Sequence, residues 1–192
     1  MTPNTTPANA DQITTTTEDQ TTQTLAGDQP PASQTRIEIY TDGSCIGNPG
    51  HGGYGFVILR KDASGKIINI HEHSGSEVAE TTNNRMEMTA ACAALESLGW
   101  VTVEPITLFC DASLIPNAMN GWLPSWKAKG WKKSDGKPVM NRDLWERLED
   151  AASGRNVTWT WVRGHNGSEF NERADRLAYV GSREAERRIK GY

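Results

Sequence analysis

The chain has 192 residues, enough for one ordinary domain with tails or at most two small ones. Its three cysteines, Cys45, Cys92 and Cys110, are an odd set without Cys-x-x-Cys spacing, which argues against a disulfide framework or zinc site and for the reducing cytoplasm. The formal charge of −4 divides unevenly: Asp11, Glu18, Asp19 and Asp28 lie in the first 35 residues, leaving 20 acids against 20 Lys and Arg, so affinity for phosphate must come from local clustering.

Residues 1–35 are rich in Thr, Gln and Pro and hold no basic residue, a composition unable to bury a core, and they are expected to form a disordered tail. They offer neither the arginines of a presequence nor the apolar stretch of a secretory signal, and no run in the chain approaches a membrane span. The alternation Arg36-Ile37-Glu38-Ile39-Tyr40-Thr41 then reads as a strand that ends at Asp42, followed by a glycine-rich turn from Gly43 to Gly50. Gly53 to Arg60 and Lys66 to His73 read as a second and third strand, with Asp62-Ala63-Ser64-Gly65 as the hairpin between them.

Residues 84–99 switch to helical period, and Pro105 to Asp111 returns to strand. A helical region follows from Ser113 to about Lys127, then a basic loop from Lys129 to Pro138 and a helix from about Arg142 to Ala152. Val157 to Val162 is a fifth strand, and a last helix from about Ser168 to Tyr179 is extended or frayed through the charged stretch Arg183 to Lys190. A three-strand meander followed by helix-strand alternation predicts an α/β fold with a mixed five-stranded sheet, three antiparallel strands and then two parallel, flanked by helices. The domain is read as 36–182, with 183–192 as a charged C-terminal extension.

Four acids stand in unusual places. Asp42 either ligates a metal from a strand end or starts a turn, because Asp-Gly is a common turn pair. Glu87 lies on the buried stripe of its helix with Ala90, Ala91, Ala94 and Leu95; it needs a partner, unless it caps the helix with Asn84. Asp111 closes a strand just before a helix, as a ligand or an N-cap. Asp175 sits at the margin of the last helix's apolar stripe and alone reads as a solvated acid. Jointly, acids from two strand ends and two helices can converge, and four carboxylates do not stay ionised together without a cation.

Hard oxygen ligands select Mg²⁺ or Mn²⁺. Two such ions could bind both sides of a phosphodiester, one activating the attacking water and the other stabilising the leaving oxygen. His165, on the glycine-flanked loop before the last helix, is placed to carry a proton or help product leave; a lone loop histidine is otherwise a surface residue.

These residues carry a resemblance to type 1 ribonuclease H of the bacterial kind. It covers about residues 36–182 through Ile39-Tyr40-Thr41-Asp42-Gly43-Ser44, Gly47-Asn48-Pro49-Gly50, Thr81 to Glu87, Asp111, Trp161 to His165 and Asn171 to Asp175, in family order and spacing. The resemblance implies that Asp42, Glu87, Asp111 and Asp175 are the metal-binding catalytic acids, with Mg²⁺ as cofactor and Mn²⁺ able to substitute. It makes His165 the auxiliary histidine. It further implies cleavage of the RNA strand of RNA/DNA hybrids, leaving 5′-phosphate and 3′-hydroxyl ends, with ribose 2′-hydroxyls telling RNA from DNA. The Gly43 to Asn48 segment, Ser44 included, resembles the contact to the RNA minor groove, and Thr82, Asn83 and Asn84 resemble contacts to the DNA strand.

The dense positive patch interleaves Trp122, Trp126 and Trp131 with Lys127, Lys129, Lys132, Lys133 and Lys137. Met119, Trp122, Leu123 and Trp126 stand at helical spacing, which reads as core or hinge packing, so the lysines are the better binding candidates. The segment resembles the family's basic protrusion, which grips the DNA strand through phosphate contacts, and Trp122, Lys127, Lys129, Lys132 and Lys133 are carried forward as nucleic-acid contacts. Ala112-Ser113 departs from the usual Ser-Gln pair after the third acid, so one interaction with the minor groove is shortened or missing. Two rival readings are a hybrid-binding module without chemistry and another two-metal nuclease of the same broad fold. No sequence feature calls for an oligomer, and a monomer is the expectation.

Overall fold

The alternating run at Arg36 extends well beyond its apolar pattern. The structure, a computed structural model, describes residues 35–99, 102–164 and 167–191; residues 1–34 of the expected disordered tail and His165 lie outside the described residues. Strand β1 spans Arg36–Ile46 and pairs antiparallel with β2, Gly50–Lys61, which pairs antiparallel with β3, Ile67–Thr81. On its other side β1 pairs parallel with β4, Ile106–Cys110, and β4 pairs parallel with β5, Val157–Trp161. The sheet order is β3-β2-β1-β4-β5, the mixed five-stranded sheet predicted.

At β2 both faces of the sheet are covered, which explains why that strand reads as an almost unbroken apolar run. Phe56 and Ile58, with Ile37, Ile39 and Leu108, pack into the main core beside Ala91 and Leu95 of helix α1, Asn83–Ser97, and Leu144, Trp145 and Leu148 of helix α4, Arg142–Ala152. Val57 and Leu59 face the other way, against Ala174 and Leu177 of helix α5, Glu169–Lys190. Between β4 and α4 the chain forms α2, Leu114–Asn117, a π-helical stretch, Ala118–Trp122, and α3, Leu123–Ala128. No helix among the described residues is long and apolar enough to cross a membrane.

Two departures from the sequence reading, and one choice between its alternatives, have physical causes. First, the turn expected from Gly43 to Gly50 shrinks to residues 47–49, and Gly43 pairs with Tyr54 inside the ladder. Gly43 is there because α1 crosses β1 at this point: a Cβ on Gly43 would overlap the backbone of Met86 and Glu87. Second, β3 continues to Thr81 through Ser74, Gly75 and Ser76. As the exposed edge of the sheet it needs no apolar alternation. Of the two outcomes expected for the charged stretch from Arg183, extended or frayed, the structure has the first: it continues α5 as regular helix, with Ser182 and Ala185 fully buried. Gly53 and Gly55 let this helix lie directly on β2, since a Cβ at either would strike the backbone of residues 174–182.

Candidate active site

Parallel pairing of β1 with β4 ends with Thr41 opposite Cys110, so Asp42, within β1, and Asp111, just past the carboxyl end of β4, follow side by side where the parallel ladder stops. Helix α1 delivers the third carboxylate. Its N-cap is Thr82, whose hydroxyl accepts from the Arg85 amide at 3.4 Å. Glu87 is therefore in the second turn and the capping role with Asn84 does not apply. Asp111 is not a cap either: Ser113 is the N-cap of α2. Asp42 is not a turn residue, because its neighbours on both sides are in the β1–β2 ladder.

One carboxylate oxygen each of Asp42, Glu87 and Asp111 lies within 4.8 Å of the others. Asp42 is 7 % exposed and Glu87 6 %, and Asp111 is half-buried. Burial, with the Asp111 charge beside it, pushes the Asp42 carboxyl up to about 7, against bonds from Glu87 and the Gly43 amide that favour its ionised form; the Gly43 amide donates to Asp42 Oδ1 at 2.7 Å. Glu87 is raised well above the usual range by burial first, and then by Asp42 and Asp111. Its Oε2 is buried with no hydrogen-bond partner among the described residues. Asp175, half-buried on α5, adds its charge to the pressure on Asp42.

Such a group is suited to one kind of ligand. Two buried carboxyls and a third within 4.8 Å, one with an unsatisfied oxygen, form an oxygen-only donor set that a hard divalent cation would satisfy. Glycine at 43 is what allows Glu87 to come so near. Gly43→Ala should cost about 1–3 kcal/mol by overpacking and displace Glu87, lowering both the melting temperature and kcat; a variant with wild-type values in both would contradict this.

One residue next to the acids was not singled out from sequence. Gly164, on the loop that leads to residue 165, passes so close to Asp111 that a Cβ there would stand 2.6 Å from Asp111 Oδ2. Glycine at 164 thus serves a close approach to the acids. Trp161 Nε1 also donates to the Asp111 carbonyl at 2.9 Å, tying β5 to the same point.

The other candidate residues fall into two groups. At the tip of the β1–β2 hairpin, Asn48 is exposed and its Oδ1 accepts from the Asn83 amide at 3.1 Å, joining the hairpin to the start of α1. Thr82 is half-buried, and Asn83 and Asn84 are exposed there. Asn84 also lines a groove of about 650 Å³ together with Trp122, Lys129, Lys132 and Lys133. Trp122, read from spacing as packing, is 44 % exposed toward this groove, and Trp126 fills the inward position between it and Trp145, at ring distances of 5.7 and 5.6 Å. The π-helical stretch that ends at Trp122 rotates it off the buried stripe. Lys127 does not line the groove: its Nζ bonds both carboxylate oxygens of Glu149 at 2.7 Å.

Comparison with known proteins agrees with this arrangement. The RNase H family model matches residues 34–183. A ribonuclease H of Jannaschia sp. is 49 % identical over 145 residues, covering 76 % of this chain and 90 % of that protein. Among solved structures, LC9-RNase H1, described as a type 1 RNase H with the type 2 active-site motif, superposes with a TM-score of 0.70 at 31 % identity, over 79 % of this chain and 74 % of that one. LC11-RNase H1 in complex with an RNA/DNA hybrid matches at TM-score 0.58 and 27 % identity, over 78 % and 99 %. A family match over the whole sheet and a relative aligned along nearly its full length leave one conclusion: the chain belongs to the ribonuclease H family.

Proposed function

We propose that this chain hydrolyses the RNA strand of RNA/DNA hybrids as an endonuclease, with two Mg²⁺ ions per site that Mn²⁺ can replace, leaving 5′-phosphate and 3′-hydroxyl ends. The observation that carries this reading is the meeting of Asp42, Glu87 and Asp111, from three separate elements, within 4.8 Å. Asp42, Glu87, Asp111 and Asp175 would hold the ions, which supply an activated water and charge neutralisation at the leaving oxygen when bound. A module that only binds hybrid gains nothing from two buried, mutually repelling carboxyls, which cost stability at neutral pH.

The chain's own residues supply position. Ser44 and Asn48 on β1 and its hairpin face the RNA minor groove, with Gly43 buried beneath α1 behind them, while Thr82, Asn83 and Asn84 at the start of α1 take the DNA strand. The groove containing Trp122, Lys129, Lys132 and Lys133 continues that DNA path through phosphate contacts. His165 assists proton transfer or product departure from the loop beside Gly164. The protein works as a monomer, since the clustered acids come from one copy, and its free cysteines suit the reducing cytoplasm.

Cleavage of labelled RNA/DNA hybrid, duplex RNA and duplex DNA, with Mg²⁺ and with EDTA, tests this directly. Wild type should cut only the hybrid and only with metal, and Asp111→Asn should not cut. Uncut hybrid, or an Asp111→Asn variant as fast as wild type, would remove the enzymatic reading.

The lysines separate by the same logic. Replacing Lys129, Lys132 and Lys133 with alanine should weaken hybrid binding and flatten the slope of log K against log salt by up to about 0.9 for each phosphate no longer neutralised, with the single-turnover rate preserved. Lys127→Ala should move the slope least, because Glu149 already neutralises that side chain. Binding titrations between low and moderate salt decide it.

A further inference from the structure

Ser182 is a polar residue fully buried, at 0 % exposure, in the last part of α5, where the chain's charge pattern gives no reason for one. Its surroundings are tight. Gly53 on β2 lies so close beneath that a Cβ there would overlap the Ser182 amide and the Ala178 carbonyl, and Gly53 is the register partner of Ser44 on β1. The helix is therefore held against the sheet by backbone contact, and Ser182 is locked over the half-buried Ser44.

Two hydrogen bonds meet at Ser182 Oγ. It donates to the Tyr179 carbonyl at 2.9 Å, and it lies 3.2 Å from Ser44 Oγ. A hydroxyl has one hydrogen, and a carbonyl can only accept. The Ser182 hydrogen is therefore committed to Tyr179, and in the serine pair Ser44 must be the donor. That uses the only hydrogen Ser44 has. What remains at Ser44 Oγ is acceptor capacity alone, two residues from Asp42.

We propose that Ser182 is a positioning residue that fixes the polarity of Ser44, so that Ser44 accepts a hydrogen bond from a ribose 2′-hydroxyl and thereby favours RNA at that subsite. The relay runs from ribose 2′-OH to Ser44, from Ser44 to Ser182, and from Ser182 to the Tyr179 carbonyl. A deoxyribose has no hydrogen to offer such an acceptor. This inference rests on the reading of β1 as the RNA contact, and it adds the direction of the bond and the residue that sets it.

Steady-state cleavage of a hybrid with an all-ribose RNA strand, and of a series with one 2′-fluoro sugar walked along that strand, tests the relay, because fluorine can accept but cannot donate. One ribose position should raise the wild-type KM about threefold to tenfold when fluorinated, the scale of one hydrogen bond. Ser182→Ala should raise KM on the all-ribose hybrid by a similar factor with kcat within about twofold, and the fluorine penalty should shrink. The double variant with Ser44→Ala should be no worse than Ser44→Ala alone. Ser44→Ala itself leaves the helix core intact and should lose the fluorine penalty, which gives the same comparison if Ser182→Ala fails to fold. Additive effects of the two substitutions, a loss confined to kcat, or a wild type indifferent to fluorine everywhere would overturn the relay while hybrid cleavage stands. A wild type that leaves the all-ribose hybrid uncut overturns both readings.

Discussion

Asp42→Asn is expected to slow hybrid cleavage by about three orders of magnitude or more while leaving hybrid binding within a few-fold of wild type. Asp42 is the residue where the site's constraints meet. It is buried, it bonds the Gly43 amide, it exchanges a side-chain hydrogen bond with Glu87, and it feels the charges of both Asp111 and Asp175. Asparagine preserves the shape and removes the charge. A divalent cation contributes several kcal/mol of transition-state stabilisation, and at about 1.36 kcal/mol per tenfold its loss amounts to roughly 10³-fold in rate. The binding surfaces around Asn84 and Lys129 lie apart from the substitution and should still hold hybrid. Single-turnover cleavage at saturating Mg²⁺ measures the first quantity and anisotropy titration in EDTA the second. A rate within tenfold of wild type would show that Asp42 is not a ligand that the chemistry needs.

The sheet and the four acids were legible for different reasons. β1, β2 and α1 announce themselves because their apolar spacing matches their burial, and Glu87 stood out as an acid on a buried stripe. Asp42 was visible as an acid at the end of an alternating run, but the run's true length was not. Gly43 looks like turn chemistry, and nothing local says that it is small to admit the backbone of α1. Asp175 could only be read jointly with the others, since its charge reaches Asp42 through packing of α5 on the sheet.

Tertiary contact hid the rest. β3 past His73 carries an edge strand's polar pattern, and its pairing with β2 to Thr81 comes from the neighbour and not from its own residues. The exposure of Trp122 depends on a π-helical stretch that moves it off the stripe its spacing predicts. Lys127 looks like its neighbouring lysines in sequence, yet Glu149, 22 residues away, takes its charge. Ser182 reads as an ordinary helix residue until Gly53 brings the helix onto β1 and β2.

The crowding that serves the site should be measurable as a stability that falls with pH. In the metal-free protein Asp42 rises from 3.8 to about 7, and Glu87 is raised as well. An acid with a higher pKa folded than unfolded binds more protons in the native state between those two values, so stability declines as pH rises through that window. Its contribution is fully present below about pH 3.8 and lost above about pH 7. At about 1.36 kcal/mol per pH unit the rise of Asp42 from 3.8 to about 7 is worth on the order of 4 kcal/mol over the whole window, or roughly 8–16 °C in melting temperature for a domain of this size, and Glu87 adds in the same direction. Acids held low by partners, such as Asp143 beside Arg85, act oppositely, their contribution being lost only as pH falls below the ordinary carboxylate range. Across the window from pH 5.5 to 7.5 such acids no longer change their contribution, and the difference between wild type and Asp42→Asn isolates the share of the site. Melts in EDTA should fall across that window, Asp42→Asn should flatten the decline and melt higher than wild type at pH 7.5, and Mg²⁺ should restore the wild type there by binding the ionised native state. A wild-type melting temperature that holds steady or climbs from pH 5.5 to 7.5 without metal would mean that the acids are better solvated than their burial implies.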